Sequence, residues 1–263
     1  MTRHLLSIAI HAYGFAAVVY LVYLVRQSPF LAALGRLAVA VGLCVHGAAL
    51  LTQVVDQGGM PVGMSQGLSL FAFLLLAIFL GIDLIYRRPV IGAFVTPLAL
   101  AVLLPAFLVP SPDGPIPAAV RRPLLPVHVS IAILGVATFA LAAGVALMYV
   151  LMERQVKLKQ FGLLFSRLPP LQVLDELNRW LVLVGFIALS ITLATGALLG
   201  SWQWDSTRLA TVIGWSMFAV LLSARFFAGW RGKRVAVVTM AGFGILLISF
   251  FSSYDPASLG GLR

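Results

Sequence analysis

The sequence predicts an all-α fold, a polytopic membrane helical bundle with about eight transmembrane helices and both termini on the outer, extracytoplasmic side. Three observations predict it. The 263 residues are 61% hydrophobic and only 10% charged, with a mean hydropathy of +1.05. A water-soluble domain could not hide that much apolar surface, so lipid serves as solvent for most of it. Apolar stretches of about 20 residues, long enough to cross a hydrocarbon core about 30 Å thick, recur eight times. No long alternation of polar and apolar residues suggests a β-barrel, which leaves helices as the way to satisfy a backbone in lipid.

The first span covers about 5–25. Its apolar run is longer than a signal-peptide core and no small-residue cleavage site follows, so it reads as a retained helix. The second, about 37–55, contains Cys44, the single cysteine, which rules out a disulfide framework or a cysteine-based metal cluster. A glycine-rich loop at 56–66 leads to spans at about 67–86 and 90–109. Six prolines, from Pro110 to Pro126, then predict an extended cover over 110–126.

The fifth span, about 127–151, should run on past the membrane, because Glu153 and Lys157 are spaced i,i+4. Pro169 and Pro170 stop that helix. Beyond them Leu171, Leu174 and Leu177 recur on one face, as in an amphipathic helix lying in the interface, within an inner connector at about 152–179. Spans at about 180–200, 208–228 and 235–251 complete the set, with a tryptophan loop at 201–207 between the first two of them. Residues 1–263 read as a single integral-membrane domain without a clear internal repeat.

The formal net charge is +10, and its distribution sets orientation. With the N-terminus outside, 13 of the 18 basic residues fall on inner connections, among them Arg26, Arg36, Arg87, Arg88, Arg154, Arg225 and Arg234. Arg3, Arg121, Arg122, Arg208 and Arg263 stay outside. Such a bias across short loops is an orientation signal. It predicts a multi-pass membrane protein whose basicity is topology, and with no basic groove or recognition module it argues against nucleic acid as a partner.

Chemistry concentrates in few residues. His4 and His11 lie on nearly one face of the first span, His46 near the middle of the second, and His128 at the outer start of the fifth. An ionisable side chain inside a bilayer is a functional hypothesis by default. The structural alternative is a neutral imidazole hydrogen-bonded to a neighbouring helix. Two neutral imidazoles can fill both axial positions of haem iron. Trp202 and Trp204 can stack on a porphyrin edge, or serve only as interfacial belt residues. Asp205, unsuited to an anionic ligand, would fix the loop at the start of the seventh helix. Asp83, the one carboxylate well inside a span, lies one turn before Arg87 and can pair with it. A proton-coupled small-solute transporter would more comfortably have a mid-membrane carboxylate facing a cavity. There is no Walker loop, no HExxH and no acid–His–Ser spacing.

Several segments together resemble the cytochrome c assembly family of tryptophan-rich, haem-handling membrane proteins, especially its shorter CcsA/HemX-like branch. They are Val127-His128-Val129-Ser130-Ile131, Arg167-Leu168-Pro169-Pro170-Leu171, Trp202-Gln203-Trp204-Asp205, Trp215, and the basic turn from Gly229 to Arg234. The resemblance runs over nearly the whole length. It implies a haem-binding protein acting in cytochrome c maturation, with haem b as the group bound, His128 and His46 as favoured iron ligands and His11 next. Trp202, Trp204 and Trp215 would form the haem edge. It further implies apocytochrome c and a biogenesis partner subunit as partners. The chain departs from the full haem-ligating members at two places: Ser223 and the tail Ser252-Ser253-Tyr254-Asp255 stand where those members carry histidines. The expectation is thus a non-enzymatic handling or assembly factor, at most one component of a cytochrome c synthase. A HemX-like regulator or scaffold that adjusts haem biosynthesis through protein contacts is the alternative.

Overall fold

A computed structural model of the protein describes residues 1–57, 63–108, 124–159, 162–199 and 206–252. Among them every long element is an α-helix: α1 (Thr2–Val25), α2 (Pro29–Gln57), α3 (Met64–Tyr86), α4 (Gly92–Leu108), α5 (Leu124–Lys157), α6 (Leu163–Arg167), α7 (Leu171–Leu198), α8 (Ser206–Phe227) and α9 (Lys233–Ser252). A 3₁₀ turn at Pro89–Ile91 precedes α4. Eight of these elements are long and apolar enough to cross a membrane, as the sequence predicts. The chain divides into two compact units, Met1–Arg122 and Pro123–Arg263.

In the first unit α1 packs along α2, and α2–α3, α3–α4 and α4–α1 complete a ring. The α1–α2 hairpin is set by tyrosines meeting glycines. A Cβ on Gly42 would lie 2.4 Å from the Tyr13 ring, and one on Gly35 would lie 2.9 Å from the Tyr20 ring. Both tyrosines are fully buried. The two pairs step in opposite directions along the helices by seven residues, so they fix an antiparallel register. Where lipid is the solvent, small residues that allow such close approach replace the hydrophobic drive.

The second unit is organised around α5, which packs on α7 and α9, while α8 packs on α7 and α9. Its two seams follow the same logic. Along α5–α7, Gly135 meets Ala188 and Leu189, and Phe139 lies over Gly185. Along α8–α9, Thr211 bonds Ser249 at 2.6 Å, Gly214 makes room for Leu246, and Gly242 makes room for Phe218. Positions 211, 214 and 218 are i, i+3 and i+7, the spacing of one helix face. Phe218 in turn stacks on Phe139 at 3.9 Å, joining α8 to α5.

Two local expectations change and one holds. The segment from Leu171 onward is continuous with the sixth span as one helix, Leu171–Leu198, instead of a separate helix in the interface. Its inward face carries Leu174 and Asn178, both buried, so tertiary packing outweighs the amphipathic pattern. Asp83 pairs with Arg36 of α2 at 2.9 Å and not with Arg87, whose backbone N–H only caps α3 on the Asp83 carbonyl. The fifth helix does run on, with Glu153 and Lys157 paired at 2.8 Å, and its 34 residues span about 51 Å, well beyond a hydrocarbon core.

Candidate functional site

His46 lies at the centre of the first unit and is completely buried. Two neighbouring helices supply its partners. Tyr13 of α1 places its hydroxyl 3.3 Å from Nδ1, and Ser69 of α3 places Oγ 2.9 Å from Nε2. The Phe73 ring meets the imidazole edge-on, with centroids 5.5 Å apart. Both ring nitrogens are therefore engaged. A buried imidazole so satisfied pins three helices together. To meet iron through Nε2 it must first give up the Ser69 contact.

His128 occupies the first turns of α5, half-buried against the end of α7. Its Nδ1 is 2.9 Å from Thr195 Oγ1. The ring lies over Gly196, where an added Cβ would stand 3.2 Å from Cε1. His128 continues the α5–α7 seam, seven residues before Gly135. The Thr195 hydroxyl has one proton, and it lies 2.8 Å from the Ile191 carbonyl and 3.1 Å from that of Thr192. With that proton held by the helix, Thr195 Oγ1 is the acceptor and His128 Nδ1–H the donor. The lone pair then sits on Nε2. An imidazole oriented through one nitrogen with the lone pair on the other is the arrangement metal-bound histidines adopt.

The other sequence candidates lie elsewhere. His11 is exposed on α1 and donates from Nδ1 to the Ser7 carbonyl of its own helix at 2.7 Å. His4 is exposed near the start of the same helix. Trp215 of α8 turns its indole N–H to Ser190 Oγ at 2.9 Å and stacks on Phe186 with centroids 5.4 Å apart. Ser190 and Thr195 are five residues apart on α7, about 140° around the helix. Trp215 and His128 thus sit on different flanks of α7. Trp202, Trp204 and Asp205 lie outside the described residues.

Sequence reasoning missed the partners. Ser69 and Thr195 are hydroxyls inside apolar helices, and that was the local signal each carried. It also missed a polar cluster at the other end of the second unit, where Arg225 Nη2 donates to Asp175 Oδ2 at 2.7 Å and Nη1 to Asn178 Oδ1 at 3.2 Å. Asn178 donates in turn to the Ala142 carbonyl at 3.0 Å. The usable signal was Leu171, Leu174, Asp175 and Asn178 recurring at i, i+3, i+4 and i+7, a face that seals polar groups inside. Among the described residues no three His, Cys, Asp or Glu side chains converge on one point as a metal cage. Haem does not need one, since the porphyrin supplies four ligands and the protein one or two.

Comparison with known proteins bears on the same residues. A family model described as "Cytochrome C assembly protein" matches residues 34–254. The cytochrome c biogenesis protein CcsA of Thermosynechococcus vestitus is 24% identical over 85% of this chain and 85% of its own length. CcsA of Prochlorococcus marinus (strain MIT 9303) is 25% identical over 81% of this chain and 79% of its own. The inner membrane protein YpjD of Escherichia coli K12 is 29% identical over 48% of this chain and 49% of its own.

Proposed function

This chain belongs to the cytochrome C assembly protein family, a multi-pass membrane protein of cytochrome c biogenesis, and from that membership we propose that it binds haem b as cargo and presents it at the outer face of the bacterial inner membrane. The observation that carries the proposal is His128, a neutral imidazole oriented by Thr195 with its lone pair on Nε2. Haem, when bound, supplies the iron centre and the vinyl groups that c-type attachment consumes. The chain's own residues have simpler work. Nε2 of His128 holds the iron, Thr195 fixes the ring, and Gly196 leaves it room. Trp202 and Trp204, with Asp205 fixing their loop, form the edge of the site in this reading. Trp215 braces α7 through Ser190 and Phe186. His46 is the second candidate ligand, available once Ser69 gives up Nε2, and His11 is the alternative.

The chain contains one cysteine and so no dithiol to keep an apocytochrome reduced. Thioether formation falls to a biogenesis partner that brings apocytochrome c. In growth with sufficient haem the purified protein is expected to show a Soret band and a reduced-minus-oxidised α band. Absence of both, even after haem is added, overturns the proposal. The HemX-like regulatory reading is favoured by Ser223 and the 252–255 tail standing where full ligand sets carry histidines. Deletion of the gene separates the two. Loss of covalent c-type haem supports handling, whereas an altered level of an early tetrapyrrole enzyme with c-type cytochromes intact supports regulation.

The orientation has its own test. In a Cys44→Ser background, Ser201→Cys is expected to react with an impermeant maleimide in outer-membrane-permeabilised cells, and Gln160→Cys is not. The reverse labelling would put the proposed haem face on the wrong side.

A further inference from the structure

At the end of the second unit farthest from His128, a cavity of about 570 Å³ opens between the start of α7, the end of α8 and the turn into α9. Tyr149, Asp175, Arg179, Arg225, Trp230 and Arg231 are among its walls. The charge balance of these walls is uneven once internal pairs are assigned. Asp175 is engaged through both oxygens, Oδ2 by Arg225 at 2.7 Å and Oδ1 by the Gly232 N–H at 3.4 Å. Glu176 accepts from Arg179 at 2.5 Å and from the Trp180 indole at 2.7 Å. Arg231 in the wall is exposed, as are Lys233 and Arg234, which follow it in the chain just beyond the lining, and none of the three has an ion pair among the described residues.

The backbone adds to this positive field. Gly229 and Gly232 take φ of 65° and 76°, a left-handed geometry that glycine adopts without strain. The turn they make leads directly into α9 at Lys233. The N–H groups of the first turn of α9 lack partners within the helix, and they carry the positive end of its dipole.

Depth selects the ligand. The apolar spans of α8 and α9 end at Phe227 and begin at Lys233, so the cavity lies at the level where a bilayer places its phosphate groups. Its wall is amphipathic. Phe226, which lines it, is 62% exposed, and Trp230 is an indole of the kind that favours the headgroup region. A run of exposed cations beside exposed aromatic side chains at a span end matches a phosphodiester joined to acyl chains. We propose that an anionic phospholipid binds here, its phosphodiester held by Arg231 at the mouth of the cavity with Lys233 and Arg234 beside it, and its acyl chains leaving past Phe226. The assignment is independent of the haem proposal and of which face of the membrane this end occupies.

The full-length protein in uncharged detergent provides the test. Phosphatidylglycerol is expected to raise its melting temperature by about 5 °C or more, while phosphatidylcholine and inorganic phosphate leave it unchanged. The triple variant Arg231→Ala, Lys233→Ala, Arg234→Ala removes exposed side chains only, so it should elute and melt as the parent does without lipid but lose the shift. Arg87→Ala with Arg88→Ala, in the other unit, should keep it. Native mass spectrometry of the parent should show retained phosphatidylglycerol, reduced at least several-fold in the triple variant, or in Arg231→Glu should the triple variant fail to fold. A shift that survives the triple variant, or is lost equally in the Arg87/Arg88 variant, overturns the site. A shift from inorganic phosphate alone, or from phosphatidylcholine, overturns the anionic lipid as its occupant.

Discussion

Replacing His128 by alanine is expected to abolish the Soret and α bands of bound haem and lower bound haem at least tenfold, with the protein still inserted and monodisperse. The magnitude follows from losing an iron–imidazole bond, against which the packing loss is small. His128 is half-buried at the end of the α5–α7 seam, and its side-chain bond to Thr195 is worth about 1 kcal/mol. Added imidazole should restore part of the spectrum by occupying the vacated iron position. Thr195 supplies the finer test. Thr195→Val keeps the shape but removes the acceptor for Nδ1–H, and loss of such a partner lowers affinity by about 10–100-fold. Thr195→Ser should recover most of it. His4→Ala, altering an exposed side chain, should be nearly silent. Unchanged haem content and spectrum in His128→Ala would remove this residue from the site.

His46 behaves differently in this frame, because its imidazole is already saturated. His46→Ala leaves Tyr13 and Ser69 without their buried partner in the middle of the first unit, so a stability loss should accompany any change in haem. Ser69→Ala separates the two roles. It frees Nε2 without opening a large cavity. If His46 serves as a ligand, haem binding strengthens in that variant; if its work is to hold three helices, only the melting temperature moves.

What the sequence made legible was whatever depends on length and apolarity. Eight stretches of about 20 apolar residues could hardly be anything but spans, and all eight are long helices. The continuation of α5 was legible too, because Glu153 and Lys157 act locally, four residues apart. Partnerships across helices were not. Asp83 finds Arg36 from 47 residues away, while the sequence offered the nearer Arg87. Thr195 is 67 residues from His128, and a threonine in an apolar helix most often returns its hydroxyl to its own backbone, as Thr192 and Thr239 do. The connector at 171–179 misled for a related reason. Asp175 looked solvent-facing because its partner, Arg225, lies 50 residues away on another helix.

That hidden cluster carries the largest stability prediction. Arg225 is 5% exposed and its partner Asp175 is 23% exposed, so alanine at 225 strands a carboxylate and the Asn178 carbonyl oxygen in a nearly dry site. Breaking a buried pair by removing one partner costs about 3–5 kcal/mol, and the partial exposure of Asp175 argues for the lower end, about 3 kcal/mol. The cluster joins α7 to α8 directly. It reaches α5 through Ala142 and α9 through Gly232, so one substitution loosens four helices. Arg225→Lys should recover part of the loss, since an ammonium can reach Asp175 but lacks the planar fork that also meets Asn178. Asp175→Asn combined with Arg225→Met removes both charges and should be less damaging than Arg225→Ala alone, because no ion is left unpaired. Asn178 and Thr195 are 17 residues apart, about 26 Å along α7, so haem coordination by His128 should survive at temperatures where the variant remains folded. Thermal melts and denaturant titrations of the three variants measure the ordering. A loss under about 0.5 kcal/mol for Arg225→Ala, the size of an ordinary surface substitution, would show that the cluster is incidental and that α7 is held at this end by its leucines.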